Sequence, residues 1–103
     1  MKTTLSVVIP CFDESNTLES CVRRVLAIAS HELSLEIVIV DDHSRDDSLL
    51  KANALAERHP EIKVYAHSNN QGKGAALRTG FRHVTGDYVA VQDADLEYDP
   101  KDL

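Results

Sequence analysis

Asp93-Ala94-Asp95 places two carboxylates two residues apart with a small residue between them. Hard oxygen ligands of this kind suit Mg2+ or Mn2+, which complete their shells with phosphate oxygens and water. Glu97 adds a third oxygen donor within reach in sequence. The Asp-x-Asp pair is unspecific alone, because it arises often by chance. Two further acidic pairs, Asp13-Glu14 and Asp41-Asp42, each follow an apolar run. If all three pairs meet, their mutual repulsion needs a cation or a donor-rich ligand to offset it.

The elements that would bring them together are readable from periodicity. Leu5–Ile9, Glu36–Val40, Ile62–Ala66 and Tyr88–Val91 are short β-branched runs, with Pro10 closing the first. They read as buried strands. Between them lie three helices. The first is capped by Asn16 with Glu19 as its capping-box partner, and shows an apolar face of Leu18, Cys21, Val22, Val25, Leu26 and Ala29. Arg23 and Arg24 fall off that face. The second runs from about Asp47 to Arg58, with Ser44 or Asp46 as cap and Pro60 as stop. The third runs from about Ala75 to Val84 and ends at Gly86 in a left-handed C-cap. Strict alternation of strand and helix predicts an α/β fold, three-layer and Rossmann-like, with a parallel sheet of strand order 3-2-1-4. Ligands of such sheets sit beyond the carboxyl ends of the strands where the order reverses, here between strands one and four. The three acidic pairs all stand at carboxyl ends of strands.

Composition restricts the partners. The 103 residues suit one domain, and 43% hydrophobic with 27% charged residues is ordinary for a globular chain. Eleven basic residues against seventeen acidic ones, a net charge of -6, argue against nucleic acid as a partner. Cys11 and Cys21 read as buried thiols of a reducing compartment. The five histidines are scattered without helical ligand spacing, which argues against zinc. No signal peptide and no membrane-length apolar segment is present, so a cytoplasmic location is expected.

Four motifs together resemble family 2 glycosyltransferases. Ser6-Val7-Val8-Ile9-Pro10 with Phe12-Asp13-Glu14 is similar to their opening strand and loop. Val38-Ile39-Val40-Asp41-Asp42-His43-Ser44 is similar to their second strand and turn. Asn70-Gln71-Gly72-Lys73-Gly74-Ala75-Ala76, with Arg78 and Gly80, resembles their Gly-rich loop and helix, and Gly86-Asp87-Tyr88 with Gln92-Asp93-Ala94-Asp95-Leu96-Glu97 resembles their metal-binding segment. The resemblance spans nearly the whole chain and is strongest to the branch that makes polyprenyl- or dolichyl-phosphate sugars. Asp13 stands where many relatives have Asn, and Cys11 where a small or aromatic residue is common.

The resemblance implies a GT-A nucleotide-sugar-binding half, residues 1–103, followed in the family by an acceptor half. It implies transfer of a sugar from a UDP- or GDP-sugar donor to a lipid-phosphate or glycan acceptor, with inversion and a divalent metal. Pro10, Phe12 and Glu14 would flank the nucleoside, and Asp42 would accept a hydrogen bond from the base. Gly72 and Lys73 would lie beside the nucleotide, with Arg78 a weaker candidate. Asp93, Asp95 and Glu97 would hold the metal, Asp93 also touching the donor. The segment alone is then expected to bind donor without transferring it, and an edge exposed at the fourth strand is expected to favour self-association. The full-length protein would work at the cytoplasmic face of a membrane.

Competing readings fit less well. A dehydrogenase needs Gly-x-Gly-x-x-Gly after the first strand, and residues 10–15 hold no glycine. A magnesium-binding phosphoaspartate receiver module is the alternative from another class, but its acidic pair follows the first strand. A haloacid-type phosphatase carries Asp-x-Asp after its first strand, with Thr or Val two residues further on. Lys73 belongs to no Walker pattern.

Overall fold

The computed structural model describes residues 2–94. Their order is β1 (Thr3–Cys11), α1 (Leu18–Leu26), β2 (Leu33–Asp41), α2 (Ser48–Arg58), β3 (Ile62–Ala66), α3 (Lys73–His83) and β4 (Tyr88–Val91). All strand pairs are parallel and the order is β3-β2-β1-β4, as expected. A receiver's doubly wound order sets its third strand beside the first. Here β1 lies between β2 and β4, so that alternative loses its support.

Alternation along β1 and β2 feeds two cores. Val7, Ile9 and Cys11 join Ile37 and Ile39 on the face covered by α1 and α2, through Leu18, Cys21, Val22, Val25, Ala52 and Leu55. Val38 and Val40 face the other way, onto Ala76 of α3 with Tyr65 and Val84 at the margin. On that face Gly80 of α3 sits so close to β1 that a Cβ would meet Val8 Cγ1 at 2.4 Å. Only a glycine lets the helix lie there.

Several local expectations are corrected. Pro10 does not end β1, which runs on to Cys11. Ladder pairing with β4 stops at Val8↔Val91, and the last bond on that side is Gln92 N–H to Val8 O at 3.0 Å. Pro10 points its nitrogen to the same side as Val8, past the end of β4, so its missing N–H costs no ladder bond. Asn16 and Glu19 form no capping box. Thr17 is the N-cap of α1, without a side-chain cap bond, and Glu19 instead pairs with Arg23 at 2.7 Å. The helix ends at Leu26, leaving Ala29 exposed. Helix α3 begins two residues earlier than expected, with Gly72 as N-cap at φ +95°. Gly86 is no left-handed cap: α3 ends on extended Val84, and Gly72 is the glycine with positive φ. Gly86 is required for space, since a Cβ there would meet Ser6 Oγ at 2.5 Å and Thr4 O at 2.8 Å.

Glu36 ties the amino-terminal end of the sheet together. It is buried and accepts from Ser6 Oγ, Thr85 N–H, Thr85 Oγ1 and Lys63 Nζ, at 2.7 to 3.0 Å. Among the described residues no helix is long and apolar enough to cross a membrane. The side chains of β4 are exposed along its length, Tyr88 most of all.

Candidate functional site

A cavity of about 440 Å3 opens at the carboxyl ends of β1 and β2, beside the end of β4. It lies at the point where the strand order reverses. Its wall brings together Pro10, Phe12, Glu14, Asp42, Gly72, Lys73 and Asp93, seven of the site residues named from the sequence. Cys11, Asn70, Ala76 and Ala94 complete it. Asp95 and Glu97, expected as metal ligands, lie outside the described residues. Arg78 is exposed and does not line the cavity.

Three carboxylates, one from each acidic pair, stand at the cavity wall: Glu14, Asp42 and Asp93. Asp13 and Asp41 instead serve the loops. Asp13, at φ +52°, accepts from Arg45 main-chain N–H at 2.7 Å and from Arg45 Nε and Nη2 at 2.9 and 2.7 Å. The Arg45 guanidinium holds the Asp13 carboxyl below its ordinary pKa. Asp41 accepts from the hydroxyl and the main-chain N–H of Ser44 at 2.5 and 3.0 Å, shaping the turn in which His43 takes φ +61°. Ser44 Oγ and Ser48 Oγ in turn accept from the N–H groups of Asp13 and Glu14, both at 2.9 Å. The loops after β1 and β2 are thereby stitched into one wall. Arg45 also lies over the Phe12 ring, 5.4 Å from its centroid.

The Asp93 segment is fixed through its main chain. Cys21 Sγ donates to Asp93 O at 3.4 Å and Thr17 Oγ1 to Ala94 O at 2.7 Å, both from around α1. Ala94 is buried in the α1-side core. That accounts for a small residue between two acids: its side chain turns inward while Asp93 remains half-exposed at the cavity. Lys73 Nζ meets Asp93 Oδ1 at 2.7 Å across the opening. Thr17 and Cys21 were missed from sequence, because a Thr and a Cys on an amphipathic helix carry no signal beyond packing. Burial raises Cys11 to a pKa of about 12, the Asp41 carboxylate adding to it, and raises Cys21 to about 11. Neither thiol is suited to nucleophilic work at neutral pH.

Three comparisons bear on this geometry. The family described as Glycosyl transferase family 2 matches residues 6–103. The chain belongs to that family. It is 38% identical over 101 residues to the undecaprenyl-phosphate 4-deoxy-4-formamido-L-arabinose transferase of Sodalis glossinidius, covering 96% of this chain and 31% of that protein. To the dolichol-phosphate mannosyltransferase of Pyrococcus furiosus it is 37% identical over 97 residues, covering 94% and 27%. The chain therefore spans under a third of the length of these two relatives. Among solved structures, a mannosyltransferase of Pyrobaculum calidifontis, in complex with GDP-Man and Mn2+, superposes with a TM-score of 0.79 at 28% identity, covering 92% of this chain and 28% of that one. Staphylococcus aureus TarS, at 23% identity and TM-score 0.78, shares the fold. The resemblance to the polyprenyl-phosphate branch read from the motifs is thus carried by whole-segment similarity.

The described residues of this family 2 chain supply part of what a hard cation needs. Among the described residues no three His, Cys, Asp or Glu side chains cluster in a metal-holding group. They supply one suitable carboxylate, Asp93, half-exposed and already facing a cation, the Lys73 ammonium. A site with one or two protein carboxylates and a diphosphate is a common way to hold Mg2+.

Proposed function

We propose that the cavity binds a UDP- or GDP-sugar, and that the protein containing it transfers the sugar with inversion to a lipid phosphate of the polyprenyl or dolichyl type. The supporting observation is the joining, in one cavity at the switch point, of an apolar wall (Pro10 and Phe12) with Lys73, Asp93 and the amino-terminal end of α3. Pro10, Phe12 and Glu14 flank the nucleoside. Gly72 and Lys73 receive the diphosphate. Helix α3 has no acidic residue in its first turn, so the partial positive charge of its amino-terminal end and the Lys73 charge both favour an anion there. Asp42 closes the wall beneath the loop that carries Gly72.

Asp93, with Asp95 and Glu97, would hold Mg2+ or Mn2+. The cation supplies charge stabilisation to the departing diphosphate. The chain's own part is to hold the donor, to keep the Asp93 carboxylate at the cavity through the anchored main chain, and to present Lys73 to the phosphates. An acceptor that is already an ionised phosphate reduces the need for a strong general base. A lipid-phosphate acceptor puts the reaction at a membrane surface, on its cytoplasmic face. The relatives named above act on undecaprenyl and dolichol phosphate, and the fold neighbour was solved with GDP-Man and Mn2+.

Calorimetric titration with UDP-glucose and GDP-mannose, with Mn2+ and again with EDTA, tests this reading. Binding of one donor that needs Mn2+ and disappears in Asp93→Asn is the expected outcome. Donor binding of equal strength in EDTA, or undiminished by Asp93→Asn, would sink the metal assignment. A folded chain that binds neither donor would remove the donor site.

A further inference from the structure

Thr17 is the N-cap of α1, where a Thr hydroxyl ordinarily accepts from a main-chain N–H of the first turn, yet it makes no such bond. Its Oγ1 lies 2.7 Å from Ala94 O, across 77 residues of chain. The main-chain oxygen and Oε2 of Glu14 are each 3.4 Å away. The hydroxyl has one proton to give, and these distances assign it to Ala94. One turn further along α1 the Cys21 thiol donates to Asp93 O at 3.4 Å. Two neighbouring carbonyls thus meet donors on one helix. In extended backbone successive carbonyls point to opposite sides, so the chain has left strand geometry here, and it bends at Ala94. The last sheet bond, from Gln92 N–H to Val8 O, comes just before. Asp93 O also accepts from Gln92 Nε2 at 3.1 Å, and the Ala94 side chain is buried in the α1-side core. The Asp93 carboxylate is left at the cavity, where Lys73 Nζ lies 2.7 Å from Oδ1.

We infer that Thr17 is a positioning residue for the cation end of the donor site: its hydroxyl fixes the bend at Ala94, and through that bend the aim of the Asp93 carboxylate at a divalent cation. This rests on the donor and metal reading above. The other contacts of the segment are weaker holds. The Lys73–Asp93 pair is 61% and 52% exposed at its side chains, and ion pairs so open to water contribute little. The Gln92 bond is exposed as well, so water can replace it. A thiol is a weak donor, which leaves Cys21 the lesser of the two α1 contacts. Packing of the Ala94 methyl fixes where the bend sits, but a methyl group does not set the direction of its own carbonyl. The Thr17 bond is part-buried, and its loss leaves that carbonyl short of a donor. Thr17 does not line the cavity, so it acts on the cation through Asp93 and not by contact.

The test compares the unmodified chain with Thr17→Val, which keeps the shape and removes the hydroxyl, and Thr17→Ser, which keeps the hydroxyl. Mn2+ binding in the presence of UDP or GDP is read by electron paramagnetic resonance, and nucleotide affinity by calorimetry at limiting and at saturating Mn2+. Thr17→Val should bind Mn2+ about fivefold more weakly, the factor expected for one part-buried hydrogen bond. Its nucleotide affinity should fall by a similar factor at limiting Mn2+ and return to that of the unmodified chain at saturating Mn2+. A general loss of structure would persist at every Mn2+ concentration. Thr17→Ser should stay within about twofold of the unmodified chain throughout. The 13C signal of the Ala94 carbonyl should move upfield in Thr17→Val and hold its place in Thr17→Ser. Unchanged Mn2+ affinity in Thr17→Val would overturn the inference, as would a deficit that saturating Mn2+ does not restore, or a Ser variant that behaves like the Val one. If the unmodified chain binds nucleotide but no Mn2+, the metal reading fails and takes the role of Thr17 in cation binding with it. If it binds neither, the donor reading fails too. The carbonyl signal then still decides whether Thr17 holds the bend.

Discussion

Replacing Glu36 by Gln removes one charge from the amino-terminal end of the sheet, and the resulting loss of stability should depend on pH in a defined way. Glu36 is 7% exposed. Burial alone would raise its pKa, but donors from Ser6, Thr85 and Lys63 outweigh that and bring it from 4.5 to about 2. With a depressed native pKa, the unfolded chain takes up the proton first as pH falls. The stabilisation is therefore complete above the unfolded value and drains away as pH drops toward the native one. A gap of about two and a half pH units corresponds to about 3 kcal/mol, at about 1.4 kcal/mol per unit. Gln resembles the protonated acid in shape, so the variant should match the parent wherever the parent is protonated. Urea unfolding followed by circular dichroism should show a difference of about 3 kcal/mol near pH 7, shrinking to below about 1 kcal/mol near pH 2.5. The carboxyls of Asp13, Asp42 and Asp46 are also held below their ordinary values and will weaken both proteins in acid, but they cancel in the difference. A difference that stays flat with pH, or a variant as stable as the parent near neutrality, would refute the reasoning. Glu36 lies within β2, and none of its partners (Ser6, Lys63 and Thr85) lines the cavity, so nucleotide affinity near neutrality should not move.

Two further outcomes follow from burial and exposure. Cys11 and Cys21, with pKa values pushed to about 12 and about 11, should react with a thiol-specific disulfide reagent at mildly alkaline pH orders of magnitude more slowly in the folded chain than in urea; comparable rates in both states would contradict the packing of β1 and α1. The β4 edge presents Val89 and Val91 at 46% and 45% exposure, so sedimentation velocity should show concentration-dependent association that Val89→Lys with Val91→Lys suppresses; a concentration-independent monomer in the unsubstituted chain would dismiss the edge as a contact.

The architecture was readable because it depends on repeated local patterns. β-branched runs at 5–9, 36–40, 62–66 and 88–91 alternate with helical spacing, and right-handed crossovers leave few orders for four parallel strands. Cap positions were less readable, because long-range partners choose them. Gly72 starts α3 since Asp42, thirty residues away, binds its N–H. Gly86 looked like a helix stop, yet its lack of a side chain answers to Ser6 and Thr4, eighty residues earlier in the chain. The site divides in the same way. Residues that face the cavity belong to compact motifs, whereas those that hold them in place, Arg45, Thr17 and Cys21, act across distances for which a single sequence leaves no trace. Asp13 shows the hazard: it belongs to one of the acidic pairs expected to meet at the site, and its charge is spent on Arg45.

The contact between Gly80 and Val8 has a mechanical consequence. With helix backbone pressed onto the Val8 side chain at Gly80, α3 is held close against β1 at that point and has less room to slide there than a helix cushioned by a large side chain. The helix behaves as a fixed ruler whose near end carries Lys73 and whose flank meets the strand leading toward Pro10. Any adjustment to ligands of different size must then come from rotation about the bonds just ahead of that ruler, at Gln71 and Gly72, where the absence of a side chain at Gly72 keeps such rotations open.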